Sequence, residues 1–241
     1  MKNALTTLIL LLMAHSVLAG DNAVSMVSVD FSVLPVGQGD FDGVKVEAQP
    51  GVVSELKFRR VQRSSPIQYH GPNPIVFFRE VPAPSPEDAT AIERVLVARY
   101  EVPSGIDEAL LFFRAAGEPV GSRFSVQGMD DSLEAFPGDS MVAFNATGAP
   151  LIARIGEDDH RVRPGANAAV SFREFIDEGI PVGFAVETDD GPKLVFENHL
   201  DYAENYRVIL MLAPPRRQGS MRLMVYSIPE TLGPMIPESG P

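Results

Sequence analysis

Carboxylates form two short clusters with the potential to bind a metal ion, Asp40-Phe41-Asp42-Gly43 and Glu157-Asp158-Asp159. Neighbouring carboxylates on a loop can bind Ca²⁺, which takes about six to eight oxygen ligands, including backbone carbonyls. The D-x-D-G pattern at residues 40–43 is only a fragment of a calcium loop, because no glutamate occupies the closing position. Solvated carboxylates at hairpin tips are ordinary in an acidic protein, so the sequence predicts no metal site. The candidates for one would be Asp40, Asp42, Glu157, Asp158 and Asp159.

The chain has few side chains suited to nucleophilic catalysis or to transition-metal binding. The chain has no cysteine, which removes thiol chemistry and thiolate–metal sites. It has four histidines, of which His70, His160 and His199 lie beyond the N-terminal segment. No serine lies in a G-x-S-x-G motif, and the spacings H-x-H and H-E-x-x-H are absent. The sequence therefore predicts no catalytic residue and no cofactor.

A binding site for a partner has one distinctive candidate segment. Residues 69–74, Tyr-His-Gly-Pro-Asn-Pro, are predicted to form an exposed loop. Its prolines would give a rigid surface for docking, although the same residues also suit a simple reversal of the chain. An aromatic platform for carbohydrate is not indicated, since the chain has no tryptophan and five tyrosines. The candidate binding residues are Tyr69, His70 and Asn73.

The elements that must position these residues are predicted to be short β-strands. Runs rich in β-branched and aromatic residues alternate with Gly, Pro, Asp and Ser, as in a sandwich or barrel. In the first half the predicted strands cover residues 27–34, 44–48, 53–59, 74–79, 95–102 and 109–114, and residues 123–127 could add a strand in the segment that follows. Residues 81–92 are irregular; Ser85 and Pro86 could begin a short helix, but a crossing loop is favoured.

The second half is also predicted to consist of short β-strands separated by turns. Residues 141–145 and 151–155 are predicted to form a hairpin around the turn at 147–150. The further predicted strands cover residues 161–163, 168–173, 182–187, 194–199, 208–213 and 222–228. A helical turn at 173–178 is an alternative, because Gly179 could cap it. The continuous apolar run 208–212 predicts a strand buried on both faces.

Similar segments recur in the same order, which predicts an internal duplication. PGVVSELKFR at 50–59 resembles PGANAAVSFR at 164–173, at an offset of 114. The two acidic clusters lie just ahead of these segments. Other matches join residues 26–30 with 141–145, 71–77 with 191–196, 94–97 with 207–210, and 110–113 with 223–226. The alternative is that any two β-rich stretches share such dipeptides.

The N-terminus predicts export. Residues 1–19 combine a positive Lys2, a short apolar run and small residues before Gly20, which is typical of a secretory signal peptide. The apolar run is too short to span a bilayer, although an uncleaved anchor is an alternative. We therefore expect a periplasmic or extracellular protein, without membrane insertion after cleavage of the signal.

Charge narrows the classes of partner. The formal net charge is −12, which disfavours nucleic acid because nucleic-acid binding requires clustered Lys and Arg. No disulfide can stabilise the fold, so apolar cores must do so. We expect another envelope or surface protein as the partner.

These observations predict two tandem immunoglobulin-like β-sandwich domains. The expected boundaries are a first domain at residues 24–117, a connecting segment at 118–138, a second domain at 139–229 and a disordered tail at 230–241. The expected function is a non-catalytic binding or structural role, exerted through strand edges and loops. The alternative is a hydrolase with carboxylates in a cleft between the two domains.

Overall fold

A computed structural model describes residues 25–83, 91–116, 123–217 and 219–233. In this part of the chain the protein is all-β, which confirms the predicted class. The predicted signal peptide, the Ser85 helix start and most of the predicted tail lie outside the described residues. The strands of the first half are β1 (Met26–Val36), β2 (Lys45–Gln49), β3 (Val52–Glu55), β4 (Ile67–Pro72), β5 (Ile75–Pro82), β6 (Ile92–Tyr100), β7 (Glu108–Ala116) and β8 (Arg123–Asp130).

The second half contributes nine further strands and one short 3₁₀ turn, Arg173–Phe175. This turn agrees with the helical alternative at residues 173–178. The strands are β9 (Ser140–Asn145), β10 (Leu151–Ile155), β11 (Asp158–Val162), β12 (Gly165–Ala166), β13 (Val170–Ser171), β14 (Ile180–Thr188), β15 (Gly191–Leu200), β16 (Tyr206–Ala213) and β17 (Met224–Thr231).

The first eight strands form two sheets that share one apolar core. Inner sheet 1 has the order β4-β1-β7-β8, and outer sheet 1 has the order β3-β2-β5-β6. Inward residues of β1 and β7, such as Phe31 and Phe113, pack against Phe77 of β5. We call these two sheets the first sheet pair. Their arrangement is consistent with a β-sandwich.

The remaining strands form the second sheet pair in the same way. Inner sheet 2 has the order β12-β9-β16-β17, with β13 also paired to β9, and outer sheet 2 has the order β11-β10-β14-β15. Met141 and Leu210 of the inner sheet share a core with Ala153 and Phe184 of the outer sheet. If strands are numbered within each half, and β12 with β13 counts as one broken strand, the two halves have identical strand orders.

The sequence matches that predicted the duplication are nevertheless wrong at the level of strands. The Pro50-Gly51 turn leads into β3, which pairs with β2, whereas Pro164-Gly165 leads into β12, which pairs with β9. Residues 94–97 lie in an edge strand, β6, while residues 207–210 lie in a central strand, β16. The sequences of short β-strands separated by similar turns resemble one another, so an alignment of the two halves that is wrong by one whole strand still matches apolar and turn residues. Only residues 26–30 and 141–145 occupy corresponding strands, β1 and β9.

Several predicted elements also differ from the structure. The predicted hairpin at 141–155 is wrong, because β9 and β10 belong to different sheets and the chain crosses between them. The predicted loop at 69–74 is instead mostly strand β4. The added strand expected at residues 123–127 of the connecting segment is present as β8, which pairs with β7. Glu230 and Thr231, expected in the tail, end strand β17, which tolerates Pro229 because it is an edge strand.

The two inner sheets face each other and form a third apolar core. Leu110 and Phe112 of β7 point away from the first core and meet Phe144 of β9 and Met211 of β16. The rings of Phe112 and Phe144 stack with centroids 3.8 Å apart. β7 and β16 are thus buried on both faces, which explains their continuous apolar runs and confirms the prediction for residues 208–212. The result is a stack of four β-layers.

Candidate functional site

A groove of about 510 Å³ opens on the first sheet pair, where β4 and the start of β1 approach the outward face of outer sheet 1. The side chains of strands β2, β5 and β6 alternate there between the apolar core and the outward face of the sheet. The groove is mainly apolar. Its lining includes Met26, Tyr69, Val76, Phe78, Arg94 and Leu96.

The exposed half of β6 borders this groove. Residues 92–96 are all exposed, while Val97 and Ala98 turn into the core. Ile92 is 67% exposed, and Val95 and Leu96 are each 41% exposed. A β-bulge opposite Phe77 and Phe78 leaves Val97 without a partner in β5 and marks the end of the exposed run. We call residues 92–96 the β6 edge, because β6 is the last strand of its sheet.

The charged side chains beside the groove neutralise one another. The Arg94 guanidinium donates to Glu47 at 2.7 Å, lies 3.7 Å from Glu80 and covers the Phe78 ring at 4.5 Å. Lys45 donates to Glu80 at 2.5 Å. The Gly51 N–H, followed by Arg94, lowers the pKa of Glu47, and the Lys45 hydrogen bond lowers the pKa of Glu80. Two cations therefore balance two carboxylates on the outward face of the sheet.

The three predicted binding residues play different parts. Tyr69 is buried rather than exposed, and its hydroxyl donates to the Pro72 carbonyl at 2.7 Å. Asn73 fixes the turn after β4, because its side chain exchanges two 2.9 Å hydrogen bonds with the Val102 backbone. His70 is exposed and lines the groove. The predicted segment thus lies beside the groove, whereas the β6 edge was not predicted, because its apolar side chains resemble those of an ordinary core strand.

Burial raises the pKa of Tyr69, with a smaller contribution from Glu47, and burial alone raises the pKa of Tyr100. The unfolded chain then ionises first, near pH 10. The stabilisation by these phenols is present below that pH and is lost as the pH rises through the folded pKa. We expect the free energy of unfolding, measured with urea, to fall as the pH rises above about 10. Tyr100→Phe should make this fall shallower; an equally steep fall would contradict the assignment.

The acidic candidates do not assemble into a metal site in the described part of the chain, where no three His, Asp or Glu side chains form a suitable group. Arg79 holds the first cluster, donating to the carbonyls of Asp40 and Asp42. In the second cluster Asp159 pairs with Arg154 at 2.8 and 2.9 Å, and the Arg154 hydrogen bond lowers the Asp159 pKa. The two clusters do not occupy equivalent positions, since the first follows β1 and the second lies at the β10–β11 turn. Glu157 and Asp158 are exposed at that turn.

A second groove, of about 400 Å³, lies on outer sheet 2. It is lined in part by Arg154, Leu194 and His199, and Leu194 is 57% exposed. Because β15 and β6 hold the same place in their sheets, Leu194 is a matched position for comparison with Leu96. The three histidines considered for catalysis lie on three different strands, β4, β11 and β15.

A buried group of charges joins the two sheet pairs, and we call it the ionic junction. Arg207 donates to Glu230 at 2.6 Å and to the Asp131 carbonyl at 2.8 Å, and it covers the Phe136 ring at 5.1 Å. Arg63 donates to both Asp131 and Glu230, and to Ser32 at 3.1 Å. Burial lowers the pKa of Arg63, although Glu230 opposes this effect. No sequence pattern predicts the junction, because its members are far apart in the chain.

No helix in the described residues has the length and apolar character needed to cross a membrane. In comparisons with known proteins, the chain matches no family model and no curated sequence.

Proposed function

We propose that this protein is an exported, non-catalytic binding or structural protein of the periplasm or cell surface. Two tandem immunoglobulin-like β-sandwiches, derived from one duplicated unit, would form its body. The identical strand order of the two sheet pairs supports the duplication. Sheets of four short strands around a common core are typical of sandwiches of this kind. The N-terminal sequence supports export.

The β6 edge is the observation that carries the binding role. Five consecutive exposed residues, three of them large and apolar, border an apolar groove. Among the described residues β6 has no hydrogen-bonded neighbour besides β5, although it also packs against β8 of inner sheet 1. Apolar strand edges are templates for association, and stable soluble proteins usually protect them with charges, prolines or bulges. Here the bulge at Val97 ends the exposed run without covering it. The edge and groove together suit an added β-strand, whose backbone pairs with β6 while its side chains contact the groove.

The hydrolase alternative receives less support. It requires carboxylates that converge in a cleft between the two sandwiches. Within the described residues, the inner sheets meet through a packed apolar layer, and a pocket of about 310 Å³ beside the ionic junction is lined by one carboxylate, Glu230. Both Arg63 and Arg207 bind that carboxylate. A carboxylate held by two arginines is poorly placed to act as a general base or nucleophile.

The test compares two matched substitutions, Leu96→Asp at the β6 edge and Leu194→Asp at the corresponding place in outer sheet 2. The tagged mature protein is crosslinked in its native envelope, and bound proteins are quantified by mass spectrometry. We expect Leu96→Asp to lower recovery of the specific partner about tenfold, because a buried unpaired carboxylate costs more than about 1.4 kcal/mol. Leu194→Asp should leave recovery unchanged. Recovery that is equal for the wild type and both variants would reject the β6 edge as the binding surface.

A further inference from the structure

The second groove, on outer sheet 2, has a floor of small residues. Gly183 and Ala185 face outward from the central strand β14, whereas Val182 and Phe184 point into the core. Larger side chains extend from the neighbouring strands β10 and β15 and form the walls. All strands of this sheet and their connections lie within the described range 123–217. The groove volume of about 400 Å³ is within the range of small-molecule sites, about 300 to 1,000 Å³.

The strand register places the wall side chains opposite each other. Arg154 of β10 and Glu197 of β15 lie on either side of Gly183. Ile152 and Leu194 lie in the same way on either side of the next outward residue of β14. Because neighbouring strands are about 4.8 Å apart, the two walls are about 10 Å apart. The groove thus places a charged row beside an apolar row, which suits a ligand with one polar end and an apolar body.

The two charged walls differ in how far their charges are balanced. Arg154 is neutralised by Asp159, to which it donates two hydrogen bonds of 2.8 and 2.9 Å. Glu197 is exposed and forms no ion pair with any residue that the structure describes. Glu187 is a second exposed carboxylate, and the alternation of side chains along β14 places it on the same outward face as Gly183. The β15 side of the groove therefore carries negative charge that its own neighbours do not balance.

The other basic side chains of this sheet do not alter that charge. Arg161 faces outward from β11, which is three strand spacings, about 14 Å, from β15 and thus beyond the Debye length of about 10 Å at 0.1 M salt. Lys193 lies opposite Val186, which packs against the core, so its side chain leaves β15 on the other face of the sheet. His199 borders the groove, and imidazoles carry no charge in mildly alkaline solution. The formal net charge of −12 makes the whole protein attractive to cations as well.

We propose that the second groove binds a small organic cation, an alkylammonium whose nitrogen pairs with Glu197 and whose apolar chain lies along the floor of the groove. Ile152 and Leu194 contact that chain from the two walls. A fully apolar ligand would desolvate Glu197 without pairing it, and an anion would be repelled by it, so the carboxylate favours a cation over both. The groove lies on the opposite side of the four-layer stack from the β6 edge, and the inference therefore goes beyond the proposed function.

Three probes of equal chain length test the preference for a cation: hexylammonium, hexanol and hexanoate. Each is titrated into the isotope-labelled mature protein at pH ~8 in ~20 mM salt, and the amide chemical shifts give the Kd. We expect hexylammonium to bind with a Kd of about 1 mM, to shift mainly the amides of β14 and β15, and to bind at least about fivefold more tightly than the other two probes. Raising the salt to ~0.5 M should weaken its binding, because salt screens exposed charges.

Several outcomes of the titrations would overturn the proposal. These are equal binding of the three probes, tighter binding of hexanoate, and shifts confined to strands outside outer sheet 2. Tighter binding of lysine blocked at its amino and carboxyl ends would assign the groove to a lysine side chain of a partner protein, and would overturn the small-molecule ligand as well.

Gly183→Val fills the floor of the groove without straining the strand. A Cβ atom at this position meets no atom of a neighbouring strand closer than 3.6 Å, and Gly183 does not adopt the left-handed conformation. Valine also suits a β-strand. We expect the variant to fold, as judged by circular dichroism, and to bind hexylammonium at least about tenfold more weakly. Glu197→Gln should weaken hexylammonium about fivefold and leave hexanol unchanged, whereas Glu101→Gln, at an exposed carboxylate of the first sheet pair, should change neither.

A folded Gly183→Val variant with unchanged affinity, or equal effects of Glu197→Gln and Glu101→Gln, would reject the site. If Gly183→Val does not fold, the two glutamine variants still decide, because both substitute exposed side chains. Leu194→Asp alters this groove and not the β6 edge, so it remains the control for recovery of the protein partner. The cation site and the proposed function can therefore fail separately.

Discussion

Replacing Arg207 with alanine should lower the free energy of unfolding by about 3 to 5 kcal/mol. The side chain is 8% exposed and supplies hydrogen bonds to Glu230 and to the Asp131 carbonyl. Without Arg207, the carboxylates of Asp131 and Glu230 keep only Arg63 as a cation in the junction. The substitution also removes the cation–π contact with the Phe136 ring. Removing one partner from a buried charged group costs far more than the whole group contributes, because the remaining charge is still desolvated. Urea unfolding at pH 7 measures the change.

Arg154→Ala is the matched control for this loss. Arg154 makes a two-point contact with Asp159, but its side chain is 64% exposed. Exposed ion pairs contribute little to stability, because water solvates both partners after the pair is broken. A cost for Arg207→Ala as small as the cost for Arg154→Ala would show that the ionic junction does not hold the two sheet pairs together.

Phe112→Ala should have a comparable cost, about 3 to 5 kcal/mol, for a different reason. The ring is 1% exposed and stacks on Phe144 between the two inner sheets. Truncation removes apolar burial and leaves a cavity between two rigid sheets, which cannot close around it. Because the two sheet pairs share this layer, we expect the wild type to unfold in one cooperative transition. We expect Phe112→Ala to separate that transition into two, resolved by calorimetry.

Val76→Ala provides the comparison, since Val76 is 41% exposed on the outward face of β5 and its truncation should cost less than about 1 kcal/mol. A wild type that already unfolds in two steps would contradict the coupling between the sheet pairs. A Phe112→Ala variant as stable as Val76→Ala would contradict the importance of the layer between the inner sheets.

The parts of the fold that sequence predicts are those with a strong local pattern. Strands β1, β7 and β16 carry long apolar or β-branched runs, and their existence and approximate extent were predictable. β4 was missed because Gly71 and Pro72 end it, and such residues usually indicate a turn. The predicted hairpin between β9 and β10 failed because a turn sequence does not reveal whether the next strand continues in the same sheet or crosses to another.

The candidate site was less predictable for a related reason. Tyr69 and His70 were selected only for the unusual composition of their segment, and Tyr69 proved to be a core residue. An exposed Leu96 and a buried Leu111 belong to similar apolar runs, and only the strand order distinguishes an edge from a centre. The ionic junction likewise depends on long-range contacts, because Arg63 and Glu230 lie 167 residues apart in the chain.

The four-layer stack determines whether one ligand can reach both grooves. Facing sheets lie about 10 Å apart, so the two outermost sheets are separated by about 30 Å and look in opposite directions. A single flexible ligand therefore cannot engage both grooves of one molecule without wrapping around the whole stack. Occupants of the two grooves are instead held at a fixed spacing, so the body would act as a rigid spacer between them.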